Sequence, residues 1–118
     1  MTSITIIRHG ETDWNVQGRY QGQADPPLNK RGFKQAYELA GKLTNSNLQL
    51  IYSSPLLRAS QTAQIIIDHL QIPVHTDARF SEINQGDWQT RLRSEIEDLY
   101  PDLFQWWETE PWDVTAPG

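Results

Sequence analysis

Three polar clusters in this 118-residue chain carry side chains that can do chemistry in combination. Arg8-His9-Gly10-Glu11 ends the apolar run "ITII", Ser53-Ser54 leads to Arg58, and Ser81-Glu82 follows "DARF". Guanidinium forks pair bidentately with phosphate oxygens and keep their charge at neutral pH, so Arg8 and Arg58 suit an anion. A neutral imidazole, with an unperturbed pKa of about 6.5, is a competent nucleophile, which suits His9 to a phosphoryl group. Phosphoryl transfer asks mainly for positioning and for charge stabilisation on the equatorial oxygens, a task for the two arginines. A carboxylic acid opposite the histidine can protonate a departing alkoxide and then activate water; Glu82 is the candidate.

These groups need elements to hold them. Residues 3–7 read as a strand, with Ile4, Ile6 and Ile7 nearly continuous, as in a parallel strand buried on both faces. Gly10 is expected to allow a close turn around the phosphate. Asn29 can cap a helix from about Lys30 to Leu43 whose apolar stripe is Phe33, Ala36, Tyr37, Ala40 and Leu43. "LQLIYSS", residues 48–54, reads as a second strand. Ser54 can cap the next helix, with Pro55 at its first position and a stripe of Leu56, Ala59, Ala63, Ile66, Ile67 and Leu70. "PVHTDARF" alternates as an edge strand, with Val74, Thr76, Ala78 and Phe80 on one face. A weak helix over Arg91–Tyr100, stopped by Pro101, and a short aromatic helix complete the chain. This order means βαβ units, right-handed crossovers and a parallel sheet, whose ligands bind at the carboxyl ends of the strands. All three polar clusters follow strand ends.

Composition narrows the partners. The formal net charge of −5 argues against nucleic acid or an anionic membrane, because phosphate backbones are held by clustered Lys and Arg. With no cysteine there is no disulfide, no Cys-ligated zinc and no thiol nucleophile. No apolar run approaches the ~18 residues of a membrane span and no signal peptide is evident, so a cytoplasmic location is expected. The histidines have no ligand spacing for a metal. His75 is expected to face solvent, and Trp106, Trp107 and Trp112 to pack. Glu95, Glu97 and Asp98 read as a solvated helix face.

"IIRHGETDWNVQGRYQG", "YSSPLLRASQTAQ" and "FSEINQGDW" together resemble three successive motifs of the histidine phosphatase (phosphoglycerate mutase-like) superfamily. The resemblance runs from residue 4 to the end. It implies an α/β three-layer sandwich with a mostly parallel sheet, incomplete at the C-terminus, and a single domain over 1–118 that is the front portion of such an enzyme. It implies phosphomonoester hydrolysis, or mutase-type transfer, on a small phosphorylated substrate without metal or cofactor. By position, His9 matches the phosphorylated residue, Arg8 and Arg58 the phosphate-binding arginines, and Glu82 the proton donor. Asn15 matches a polar residue of the phosphate pocket, and Gln21 and Gly22 lie in a loop near the substrate. Two departures stand out: Thr90 replaces a usual glycine, and a second histidine, carried by family members on a later strand, is not in the sequence. A catalytically impaired fragment or phosphate-binding module is therefore a further reading. Without a strand beside residues 3–7, a poorly stable chain is expected.

Overall fold

The computed structural model describes residues 1–118. In chain order the elements are helices α1 (Asp13–Gln17) and α2 (Lys30–Lys42), strand β1 (Ile51–Ser53), helix α3 (Leu57–Leu70), strand β2 (Val74–Thr76) and helices α4 (Arg93–Leu99) and α5 (Pro101–Thr109). They form two compact units: Met1–Thr12 with Pro27–Ser81, and Asp13–Pro26 with Glu82–Gly118. No helix is long and apolar enough to cross a membrane.

In the first unit, β1 and β2 pair in parallel, with Ile51 opposite Val74 and Tyr52 opposite His75. The Asn29 side chain accepts the Gly32 N–H at 2.8 Å, capping α2 where the sequence predicts. Ala36 and Ala40 of α2 meet Ile65 and Ile66 of α3, and Phe33, Leu39, Leu43, Ile51 and Ile7 close around them. Tyr37, expected in the stripe, is exposed. Leu39 flanks the alanines on one side and Tyr37 on the other, and the helical wheel alone does not choose between flanks.

Two strand expectations are corrected. Residues 3–7 are not a strand: Ile7 packs on the helices, but Ile4 and Ile6 are 84% and 92% exposed. A strand exists through its ladder, and the sheet contains only β1 and β2. The alternation predicted over 73–80 stops at Thr76. Asp77 Oδ1 accepts the Arg79 N–H at 2.9 Å and opens a 3-10 turn over Ala78–Phe80, so Ala78 and Phe80 do not continue a strand face. His75 is exposed, as expected.

The second unit is built on aromatics. Trp88, Ile96, Phe104 and Val114 are buried together, and Trp88 meets Tyr20 and Trp107 edge-on at interplanar angles of 86° and 83°. Pro101 ends α4 and also opens α5, at the first helical position where its missing N–H costs nothing. Arg93 spans the two helices, reaching Glu97 at 3.2 Å and Glu108 at 2.7 Å with its guanidinium over the Phe104 ring. Trp107 packs as expected, but Trp106 is half exposed and Trp112 is 93% exposed. Phe104 and Trp107, three apart, share the inward face of α5; Trp106 is off that face, and Trp112 lies in a 3-10 turn beyond the helix.

Candidate active site

The first unit carries Arg8, His9 and Arg58. The Gly10 N–H donates to Thr62 Oγ1 at 3.0 Å, and the Thr62 hydroxyl donates to the Arg58 carbonyl at 2.7 Å. One buried hydroxyl thus ties the Arg8-His9-Gly10 segment to the first turn of α3. From the other side the segment presses against α2. A Cβ on Gly10 would stand 2.5 Å from the Gly32 carbonyl oxygen, and a Cβ on Gly32 would collide with the Glu11 carbonyl oxygen. Gly10 therefore serves a close approach of two backbones.

His9 Nδ1 lies 2.7 Å from the Gly10 carbonyl oxygen. A carbonyl only accepts, so the neutral ring carries its proton on Nδ1 and its lone pair on Nε2. Nε2 is then the atom of this half-buried imidazole that carries the lone pair. Arg8 is exposed beside it, and a groove of about 300 Å³ is lined by both, with Gly10, Gln35, Leu39 and Thr62.

Arg58 is only 3% exposed at the second residue of α3. Guanidinium groups are seldom buried, because desolvation costs several kcal/mol unless polar partners or a ligand offset it. The helix begins two residues later than predicted: Ser54 Oγ accepts the Leu56 N–H at 3.0 Å, and Leu56 is extended. Ser54 therefore shapes the approach to α3 and does not cap it.

Glu11, the carboxylate in the first cluster, belongs to α2. It accepts from Asn29 Nδ2 at 3.0 Å and faces Arg31 Nη1 at 3.4 Å, while its N–H donates to Gln35 Oε1 at 2.9 Å. It braces the helix cap.

The remaining candidates lie in the second unit. Asn15 is half-buried on α1; Gln21 is half-buried and Gly22 buried in the loop that follows. Glu82 is exposed, with Oε1 accepting the Ile83 N–H at 2.9 Å and its carbonyl accepting Gln23 Nε2 at 3.2 Å. Sequence reasoning missed Gln89. Its Oε1 accepts the Gln23 N–H at 2.7 Å and the Gln85 N–H at 3.4 Å, joining the 21–23 loop to the segment after Glu82. Thr90, which stands where the resembled family usually has glycine, adopts φ = +74°. No group of three His, Asp or Glu side chains is arranged to hold a metal ion.

Comparison with known proteins identifies the family. A model of the histidine phosphatase superfamily (branch 1) matches residues 4–118. The chain is 42% identical to phosphoserine phosphatase 1 of Hydrogenobacter thermophilus over its whole length, which is 56% of that protein. It is 41% identical to a probable phosphoglycerate mutase of Yersinia pestis over 90% of this chain and 48% of that one. Among solved structures, a mycobacterial glucosyl-3-phosphoglycerate phosphatase complexed with VO3 superposes with a TM-score of 0.85 at 34% identity, covering 91% of this chain and 51% of that one. An Escherichia coli structure described as a putative alpha-ribazole-5'-P phosphatase gives 0.84 at 32% identity, covering 94% and 55%. The chain spans about half the length of the relatives it matches, and the expected phosphoglycerate mutase-like α/β fold class is borne out. With the family matched from residue 4 to the last residue, the chain belongs to branch 1 of the histidine phosphatase superfamily.

Proposed function

We propose that this chain cleaves phosphomonoesters through a phosphohistidine on His9. The observation that carries the reading is the Nδ1–Gly10 carbonyl hydrogen bond, which leaves the lone pair on Nε2. Nε2 attacks phosphorus and the bond from phosphorus to the ester oxygen breaks, while Glu82 gives its proton to the departing alkoxide. The Glu82 carboxylate then takes a proton from water, whose oxygen attacks the phosphohistidine, releasing phosphate and restoring the imidazole. Arg8 and Arg58 neutralise the oxygens of the transferring group. Asn15, Gln21 and Gly22 contact the substrate or its phosphate. The roles of Glu82 and of these three rest on the resemblance. The likeness to a probable phosphoglycerate mutase favours a second reading, in which the phosphoryl group returns from His9 to a substrate hydroxyl.

The test is to incubate the chain with p-nitrophenyl phosphate, quench, and map phosphate by mass spectrometry. Acid-labile phosphate on the peptide containing His9, with nitrophenol released and both lost in His9→Ala, is the expected result. Binding without either product makes the chain a phosphate-binding module. Full activity in His9→Ala refutes the mechanism.

A further inference from the structure

The backbone that carries Glu82 has no regular structure of its own. Residues 82–85 are neither helix nor strand, and Glu82, Ile83 and Asn84 are exposed. Such a segment samples many conformations unless something outside it holds it. A general acid, however, works only within hydrogen-bond reach of the oxygen it protonates.

Two glutamines of the same unit supply the hold. Gln89 follows Trp88, whose ring is sealed in the aromatic core, so its backbone is anchored. Its Oε1 accepts the Gln23 N–H at 2.7 Å and the Gln85 N–H at 3.4 Å. The Gln23 side chain reaches on to Glu82, where Nε2 donates to the carbonyl at 3.2 Å. The segment is thus gripped at both ends, Glu82 through Gln23 and Gln85 by Gln89 itself. Gly22 makes room for the grip: it adopts φ = +49°, and a Cβ there would collide with Gln89 Oε1. Both partners of Oε1 are N–H donors, so position 89 needs an acceptor and makes no use of the amide nitrogen in these bonds.

We infer that Gln89 and Gln23 are positioning residues that fix Glu82 for proton delivery to the leaving group. The inference rests on the role proposed above for Glu82. As the bond from phosphorus to the ester oxygen breaks, the Glu82 carboxyl proton passes to that oxygen. An alkoxide is a strong base and needs the proton, whereas nitrophenolate is a weak base and departs without it. Loosening the grip therefore harms alkyl esters more than nitrophenyl esters.

The test compares ethyl phosphate with p-nitrophenyl phosphate. Gln89→Leu and Gln23→Met each lower kcat for the ethyl ester by roughly tenfold or more beyond any fall with the nitrophenyl ester. Gln89→Glu retains an acceptor and keeps the parent's ratio of the two rates. Equal losses on both esters overturn the inference, as does a Gln89→Glu variant that behaves like Gln89→Leu. If the parent turns over neither ester, the proposed function falls, and hydrogen exchange decides the positioning by itself. The amides of Gln23 and Gln85, and of Ile83, which donates to the Glu82 carboxylate at 2.9 Å, then exchange roughly tenfold faster in Gln89→Leu but not in Gln89→Glu. Unchanged exchange in Gln89→Leu overturns the inference.

Discussion

Replacing Thr90 with glycine stabilises the protein. Thr90 sits at φ = +74°, where an L-residue sets its Cβ against the following carbonyl. That conformation costs roughly 1–2 kcal/mol for ordinary residues, and branching at Cβ makes it worse. The interactions of the position are all backbone: its N–H donates to the Tyr20 carbonyl at 2.8 Å, and its carbonyl accepts from Arg19 Nη1 at 2.7 Å. Its side chain is exposed and makes no hydrogen bond, so glycine loses no contact of consequence. Against the relief of strain stands the greater freedom of glycine in the unfolded chain, about 0.4–1 kcal/mol. The balance is a gain of about 0.5–1 kcal/mol, which raises the urea midpoint by roughly half a molar at an unchanged m-value. Thr90→Ala keeps the Cβ and so gains less. A midpoint for Thr90→Gly at or below the parent, or an equal gain from alanine, refutes the argument.

Thr62→Val keeps the shape of a buried residue but removes the acceptor for the Gly10 N–H; it should cost about 1–3 kcal/mol in urea unfolding and reduce phosphorylation of His9. Gly32→Ala improves helix propensity by about 1 kcal/mol, yet its Cβ meets the Glu11 backbone; a lower unfolding midpoint is expected, and a higher one would show that this contact relaxes freely. Burial holds the Tyr20 hydroxyl above the ordinary tyrosine value of 10.0, opposed by the nearby Arg93 charge. The folded state thus keeps a proton that the unfolded state has lost, and this contribution to stability, full below about pH 10, falls away as pH rises through the folded pKa. Tyr20→Phe should flatten that alkaline loss, measured as the urea midpoint from about pH 8 to 11.

Local signals were read well from the sequence. Asn29 before an amphipathic run specifies the start of α2. What escaped reading depends on chain segments meeting in space. Thr62 looks like any helical threonine until the Gly10 N–H is found on it, and Gly32 looks like a weak helix residue until Glu11 is found against it. Residues 3–7 have strand composition but no strand, because composition does not supply a neighbour. Glu11 stands in the motif with His9, yet its carboxylate goes to Asn29 and Arg31. Trp112 shows the reverse error: an apolar residue type predicted packing, and its position past the end of α5 left it in water.

The division into two units has an optical consequence. All five tryptophans, Trp14, Trp88, Trp106, Trp107 and Trp112, belong to the second unit. The two longest helices, α2 and α3, belong to the first. Tryptophan emission, excited selectively at the red edge, therefore records the second unit, while far-ultraviolet circular dichroism is weighted towards the first. Coincident unfolding curves from the two probes would mark one cooperative transition, and separated curves would mark two. Substitutions at Gly32 and Thr62 should register first in the dichroism, and those at Thr90 and Tyr20 first in the emission. Within the emission itself, iodide should quench Trp112 readily and leave the sealed indole of Trp88 glowing.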